Sequence, residues 1–137
     1  MARTELVKDI ECIVEGMGFE KSDSREPNTY QRNVSYPSII EDKQDRAHFL
    51  LHTGQGAIQI AAKWQEVNGT TIEKLGHTVL DAANTNFEHY IVVCGGDKLV
   101  TRAINYLNDH RHIAPKLRSM EAHELEDFLS TYLDAVN

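Results

Sequence analysis

The apolar and polar positions of the chain fall into helical stripes and strand-like alternations, and the most informative stretch is residues 58–75. Its first half alternates strictly. Ile58, Ile60, Ala62 and Trp64 point one way, and Gln59, Ala61, Lys63 and Gln65 the other, as in a strand with one buried face. A lysine and two glutamines on one sheet face exceed what packing requires. Asn68-Gly69 then turns the chain, and Thr70-Thr71-Ile72-Glu73 reads as a capping box that opens a helix. A strand therefore delivers a polar face to a tight turn and a helix N-terminus, a common construction for handling phosphate.

The same reading orders the rest of the chain. Over residues 3–17, Leu6, Ile10, Ile13, Val14 and Met17 form a helical stripe, with Gly16 and Gly18 as a stop; Glu5, Glu11 and Glu15 lie off it. Residues 21–28 form a polar loop with Pro27. Residues 30–40 predict a strand interrupted at Pro37, 41–46 a charged turn, and 47–53 a second strand, with 54–56 turning into the central one. His48, Leu50 and His52 share one face of that second strand. After the capping box, Ile72, Leu75, Val79, Leu80 and Ala83 make the apolar side of a helix ending near 84–86. The apolar run 89–94 suits a strand covered on both faces.

Gly95-Gly96-Asp97 leads into a helix that buries Leu99, Val100, Ala103, Ile104 and Leu107. Residues 109–115 are a loop and 116–120 a short edge strand. Residues 121–136 form a closing helix with Leu125, Phe128, Leu129, Tyr132, Leu133 and Val136 inward, and Glu121 and Glu124 in its first turn. Helices alternating with strands predict an α/β fold, a mixed central sheet flanked by helices.

Composition narrows the function classes. The 137 residues fit one domain, with 41% apolar and 26% charged residues, ordinary for a soluble globular protein. No apolar run approaches the ~20 residues that span a bilayer, and the N-terminus lacks a signal peptide's apolar region. Cys12 and Cys94 suggest no disulfide scaffold, so a cytoplasmic protein with reduced thiols is expected. The net charge of −7 argues against a general nucleic-acid coat protein. It leaves a nuclease open, because metal ions can supply positive charge at the scissile phosphate. His110 and His112 have no third ligand at a familiar zinc spacing.

Lys63-Trp64-Gln65, Gly69-Thr70 and Glu73-Lys74-Leu75 together resemble the "KxQ…GT…EKL" core of a branch of the PD-(D/E)XK nucleases, over about residues 36–108. The resemblance implies a restriction-endonuclease-like three-layer fold. It also implies acids on two neighbouring strands that bind Mg²⁺ or Mn²⁺, and a lysine that positions water or stabilises charge. Lys63 matches the family lysine and Gln65 the polar residue after it, with Thr70 and Lys74 as nucleic-acid contacts. The acid expected two places before the lysine is Ala61, and the earlier acid is His48. Imidazole can ligate metal, so His48 is a candidate ligand, although a hydrogen-bonded structural histidine fits as well. Asp45, or Asp42, could donate the missing carboxylate, and Glu5 corresponds to a helix glutamate used by some members.

The resemblance favours DNA over RNA and an endonuclease over an exonuclease, and a homodimer would match the symmetry of duplex DNA. The small size resembles phage or mobile-element nucleases. With both acid positions changed, little or no cleavage is expected. Ala61 fits either a deliberate replacement, which the persistence of the surrounding motif favours, or a naturally degenerate member that binds without cutting. The alternatives are a non-catalytic module for nucleic acid or a protein partner, and an inhibitor of another nuclease, which the acidic charge would suit.

Overall fold

A computed structural model describes residues 3–65, 75–96 and 100–136. Its elements are α1 (Arg3–Gly16), β1 (Glu20–Lys21), β2 (Thr29–Pro37), β3 (Gln44–Thr53), β4 (Gly56–Gln65), α2 (Leu75–Ala83), β5 (His89–Gly96), α3 (Val100–Asp109), β6 (Leu117–Met120) and α4 (Ala122–Val136). The strands form one six-stranded sheet in the order β1-β2-β3-β4-β5-β6. β2, β3 and β4 are an antiparallel meander, and β4, β5 and β6 run parallel. Parallel neighbours need a crossover, and helices supply it here, so the sheet is covered on both faces. The three-layer, restriction-endonuclease-like architecture expected from the sequence is present.

The alternation in β4 divides the two cores. Ile58, Ile60 and Ala62 pack with Ile91 and Val93 of β5 beneath Leu6, Ile10 and Val14 of α1 and Leu125 and Leu129 of α4. On the other face Tyr90, Val92 and Cys94 meet Leu75 and Val79 of α2 and Ala103 and Leu107 of α3. α1 stops where Gly18 takes φ 98, and its N–H donates to the Glu15 carbonyl at 3.0 Å.

Several boundaries differ from the sequence reading. Glu20–Lys21, at the edge of the expected loop, pairs with Thr29 and Tyr30 as a two-residue parallel strand. Gln44, Asp45 and Arg46, read as turn, belong to β3 and pair with Pro37, Tyr36 and Ser35. In α2, Leu80 and Ala83 face outward, whereas Thr78 and Asp81 are buried. The inward stripe is shifted because Asp81 finds hydroxyl partners inside. The capping box and residues 97–99 lie outside the described residues.

One irregularity positions the site. Arg32 pairs with Phe49 and Val34 with Ala47, but the intervening Asn33 and His48 do not pair, and Asn33 has φ 54. Tyr30, Arg32 and Tyr36 share a side by alternation. Tyr30 and Arg32 nevertheless reach Glu11 of α1, while Tyr36 reaches Asp81 of α2. The left-handed residue twists the β2–β3 ribbon so that its outer half faces the opposite helical layer.

Candidate functional site

β3 and β4 pair from Thr53↔Gly56 to Phe49↔Ile60 and no further, although both strands continue. Beyond that point β3 stays with β2, and β4 stays with β5 through Gln65↔Gly96. One more step of the register would set His48 opposite Ala61. The sheet splits instead, and the His48 imidazole fills the opening: its Nδ1 accepts the Ala62 N–H at 2.7 Å. That bond replaces a lost strand-to-strand bond for an amide that would otherwise be buried unpaired. It also requires the other ring nitrogen, Nε2, to carry the ring hydrogen.

The sequence candidates are distributed around this split. Ala61 is buried with Val92 as its partner, and Lys63 is half-buried opposite Cys94, on the α2–α3 face by alternation. Trp64 lies opposite Gly95 on the α1–α4 face, where Glu5 and Trp64 line a cleft of about 590 Å³ with Asp9 and Glu121. Lys63 and Glu5 therefore start from opposite layers. Asp45 is carried by the twisted ribbon to α2, where His77 Nε2 donates to its carboxylate at 3.1 Å and Lys43 Nζ lies 3.8 Å away. Burial tends to raise the pKa of Asp45, but the bonds from His77 and Ser38 and the His77 and Lys43 charges outweigh it and hold the carboxyl below its usual range. Gln65 ends β4 and its side chain lies outside the described residues, as do Thr70 and Lys74.

Two polar clusters escaped the sequence reading. On the α1 face, the Tyr30 hydroxyl lies within donating distance of Glu11 at 2.7 Å and Glu15 at 2.6 Å, and Arg32 Nη1 pairs with Glu11 at 3.1 Å beneath the helix. Burial first, then both carboxylates, push the Tyr30 hydroxyl far above its ordinary value. The Arg32 guanidinium stacks 4.7 Å from the Phe49 ring centroid, while its buried Nε has no partner among the described residues. An open donor of this kind costs roughly 1–3 kcal/mol. The signal in the sequence was Glu11 and Glu15 at i, i+4, on one side of a helix.

On the α2 face, Asp81 accepts from the Tyr36 and Tyr90 hydroxyls, the latter at 2.6 Å, and Gln59 Nε2 donates to the Tyr36 oxygen at 3.0 Å. Gln59 and Asp81 are 1% and 5% exposed. Burial is the main reason both tyrosines are pushed well above their usual range. Gln59, which the alternation offered as part of a polar functional face, thus serves a sealed hydrogen-bond network. Asp81 stands between Leu80 and Ala82 in the sequence and shares the buried side of α2 with Thr78.

The family model described as a PD-(D/E)XK nuclease superfamily domain matches residues 3–135. The chain belongs to the PD-(D/E)XK nuclease superfamily. It matches no curated protein and no solved structure. Membership supports a function of nuclease type, and members of the superfamily generally use divalent metals. The residues at this chain's strand split do not fit such an ion. Ala61 offers a methyl group, the Nδ1 lone pair of His48 is committed to a backbone amide, and the Asp45 carboxylate is held by His77 and Lys43. A hard divalent cation needs several oxygen ligands, and the described residues of the split do not assemble them. Glu121, His123 and Glu124 bring ligand atoms within 4.8 Å of one another, but all are exposed, and Glu124 caps α4 by accepting the Glu121 N–H at 3.0 Å. No described helix is long and apolar enough to cross a membrane.

Proposed function

We propose that this superfamily member binds nucleic acid, duplex DNA in preference to RNA, at the β3–β4 split and does not hydrolyse the phosphodiester backbone. The observation that carries the reading is the His48 imidazole accepting the Ala62 N–H at 2.7 Å, at the position where the resemblance expects the first metal acid, with Ala61 where it expects the second. The superfamily match supports a nucleic-acid ligand; the changed donor set supports the loss of cleavage. Lys63 and Gln65 remain as polar residues at the end of β4, and Thr70 and Lys74 are kept as proposed nucleic-acid contacts on the resemblance alone. Two copies related by a two-fold axis would address both strands of a duplex. Losing carboxylate ligands removes the charge that retains Mg²⁺ or Mn²⁺, which is worth several kcal/mol of transition-state stabilisation.

The test is plasmid DNA incubated with the purified chain and Mg²⁺ or Mn²⁺, alongside anisotropy titrations with duplex DNA and single-stranded RNA. The expected result is DNA binding with no nicking or linearisation, and metal-dependent cleavage gained by the His48→Asp, Ala61→Glu double variant. Cleavage by the unaltered chain would show an active hydrolase. Absence of DNA binding at low salt, where electrostatic association is strongest, would point instead to a protein-binding module.

A further inference from the structure

α1 separates two clefts of opposite character. The one beside Trp64 is lined by the carboxylates of Glu5, Asp9 and Glu121. The other, about 450 Å³, opens at the ribbon twist and is lined by Lys8, Glu11, Arg32, Asn33 and His48 among others. Its lining sets Lys8 and Arg32 against Glu11, with Glu15 beside Glu11 at the Tyr30 hydroxyl, in a chain whose net charge is −7. Arg32 lines it while its Nε is buried with no partner among the described residues, and His48 commits Nδ1 to the Ala62 amide. The position where the resemblance expects carboxylates around a cation thus borders a pocket lined by two cationic side chains, Lys8 and Arg32.

We propose that this groove is a metal-independent anion site that receives a backbone phosphate of nucleic acid through Arg32 and Lys8. The inference rests on the nucleic-acid reading above and adds to it the contact and its charge logic. Arg32 is already oriented by Glu11 and by stacking on Phe49, so a planar donor fork is held in place before the anion arrives. Glu11 is the competing anion. It shares Arg32 with an incoming phosphate and thereby limits affinity.

The experiment uses inorganic phosphate and a short DNA duplex, each in EDTA, with the unaltered chain, Lys8→Ala and Glu11→Gln. Lys8 is exposed on α1, so its truncation leaves the core intact, and the amide introduced by Glu11→Gln keeps one oxygen acceptor for Arg32 while Tyr30 retains Glu15 as its acceptor. Amide-resonance titration should show phosphate perturbing residues around 32–33 and 48 without added metal. Lys8→Ala should weaken that binding, and Glu11→Gln should tighten it. On DNA, Lys8→Ala should lower the slope of log K against log salt by about 0.9, the value for one phosphate contact.

Phosphate binding that requires Mg²⁺, or that is unchanged in both variants, overturns the proposal. DNA binding with an unaltered salt slope in Lys8→Ala overturns the groove while the nucleic-acid reading stands. Metal-free phosphate binding at the groove with no DNA binding by any form keeps the anion site and removes the nucleic-acid reading.

Discussion

Among single residues, Asp81 concentrates the most consequence. Its carboxylate accepts hydroxyls from Tyr36 and Tyr90 inside the sheet–helix interface, and Gln59 extends the chain of donors. Replacing it with alanine leaves two tyrosine hydroxyls in an apolar layer without their acceptor, at a cost of about 3 kcal/mol by the penalty for unmade buried bonds. Urea unfolding monitored by circular dichroism measures it. A loss under about 1 kcal/mol would mean that water reaches the cluster. Asp81→Asn, which keeps one acceptor oxygen, should recover part of the loss. The sequence showed these residues as separate polar positions. It could not show that they meet, because Tyr36 arrives from a ribbon whose twist is set three residues earlier.

At the level of elements, the alternation in β4 and the stripes of α1, α3 and α4 were legible because burial of one face imposes a period. Leu6, Ile10, Val14, Ile58 and Ile60 are all in the core as read. The strand split was not legible, since pairing depends on backbone partners distant in sequence, and neither Asn33 nor His48 carries a local pattern for it. Asn33 is nonetheless informative afterwards: asparagine is among the few residues that tolerate φ near 54. Asn33→Val should destabilise the fold by roughly 1–2 kcal/mol, while Asn33→Gly should cost far less. Equal melting temperatures for the two variants would contradict the role of backbone handedness in the ribbon twist. The site was half legible in the same way. The changes at His48 and Ala61 stood in the sequence, whereas the imidazole's bond to the Ala62 amide needed the fold.

For the molecule as a whole, acid sensitivity follows from groups in both layers. Burial, and then the Arg25 charge, push His52 below its usual value. Burial also lowers His89, with Arg118, Lys116 and Arg111 acting in the same sense against Glu88. A histidine with a depressed folded value leaves stability unaffected well above pH ~6.5. Below it, the unfolded chain takes up protons that the folded chain refuses, and stability falls. Asp45 acts lower. Its contribution is present above the ordinary carboxylate range and is lost as pH falls through its depressed folded value. The denaturation midpoint should therefore drop between about pH 7 and 5, and again below about 4. His89→Phe preserves aromatic packing against Phe128 and Tyr132 and should flatten the upper step; an unchanged slope would assign that step elsewhere.

The close approach at Gly95 has an optical consequence. A Cβ built there would come 3.1 Å from the indole of Trp64 and 3.2 Å from Leu6, and Trp64 is the chain's single tryptophan. Its emission spectrum is therefore a label-free signal from one known spot, the cleft side of α1. Occupancy there would shift the colour of the fluorescence, while an anion entering behind the helix would leave the spectrum unchanged.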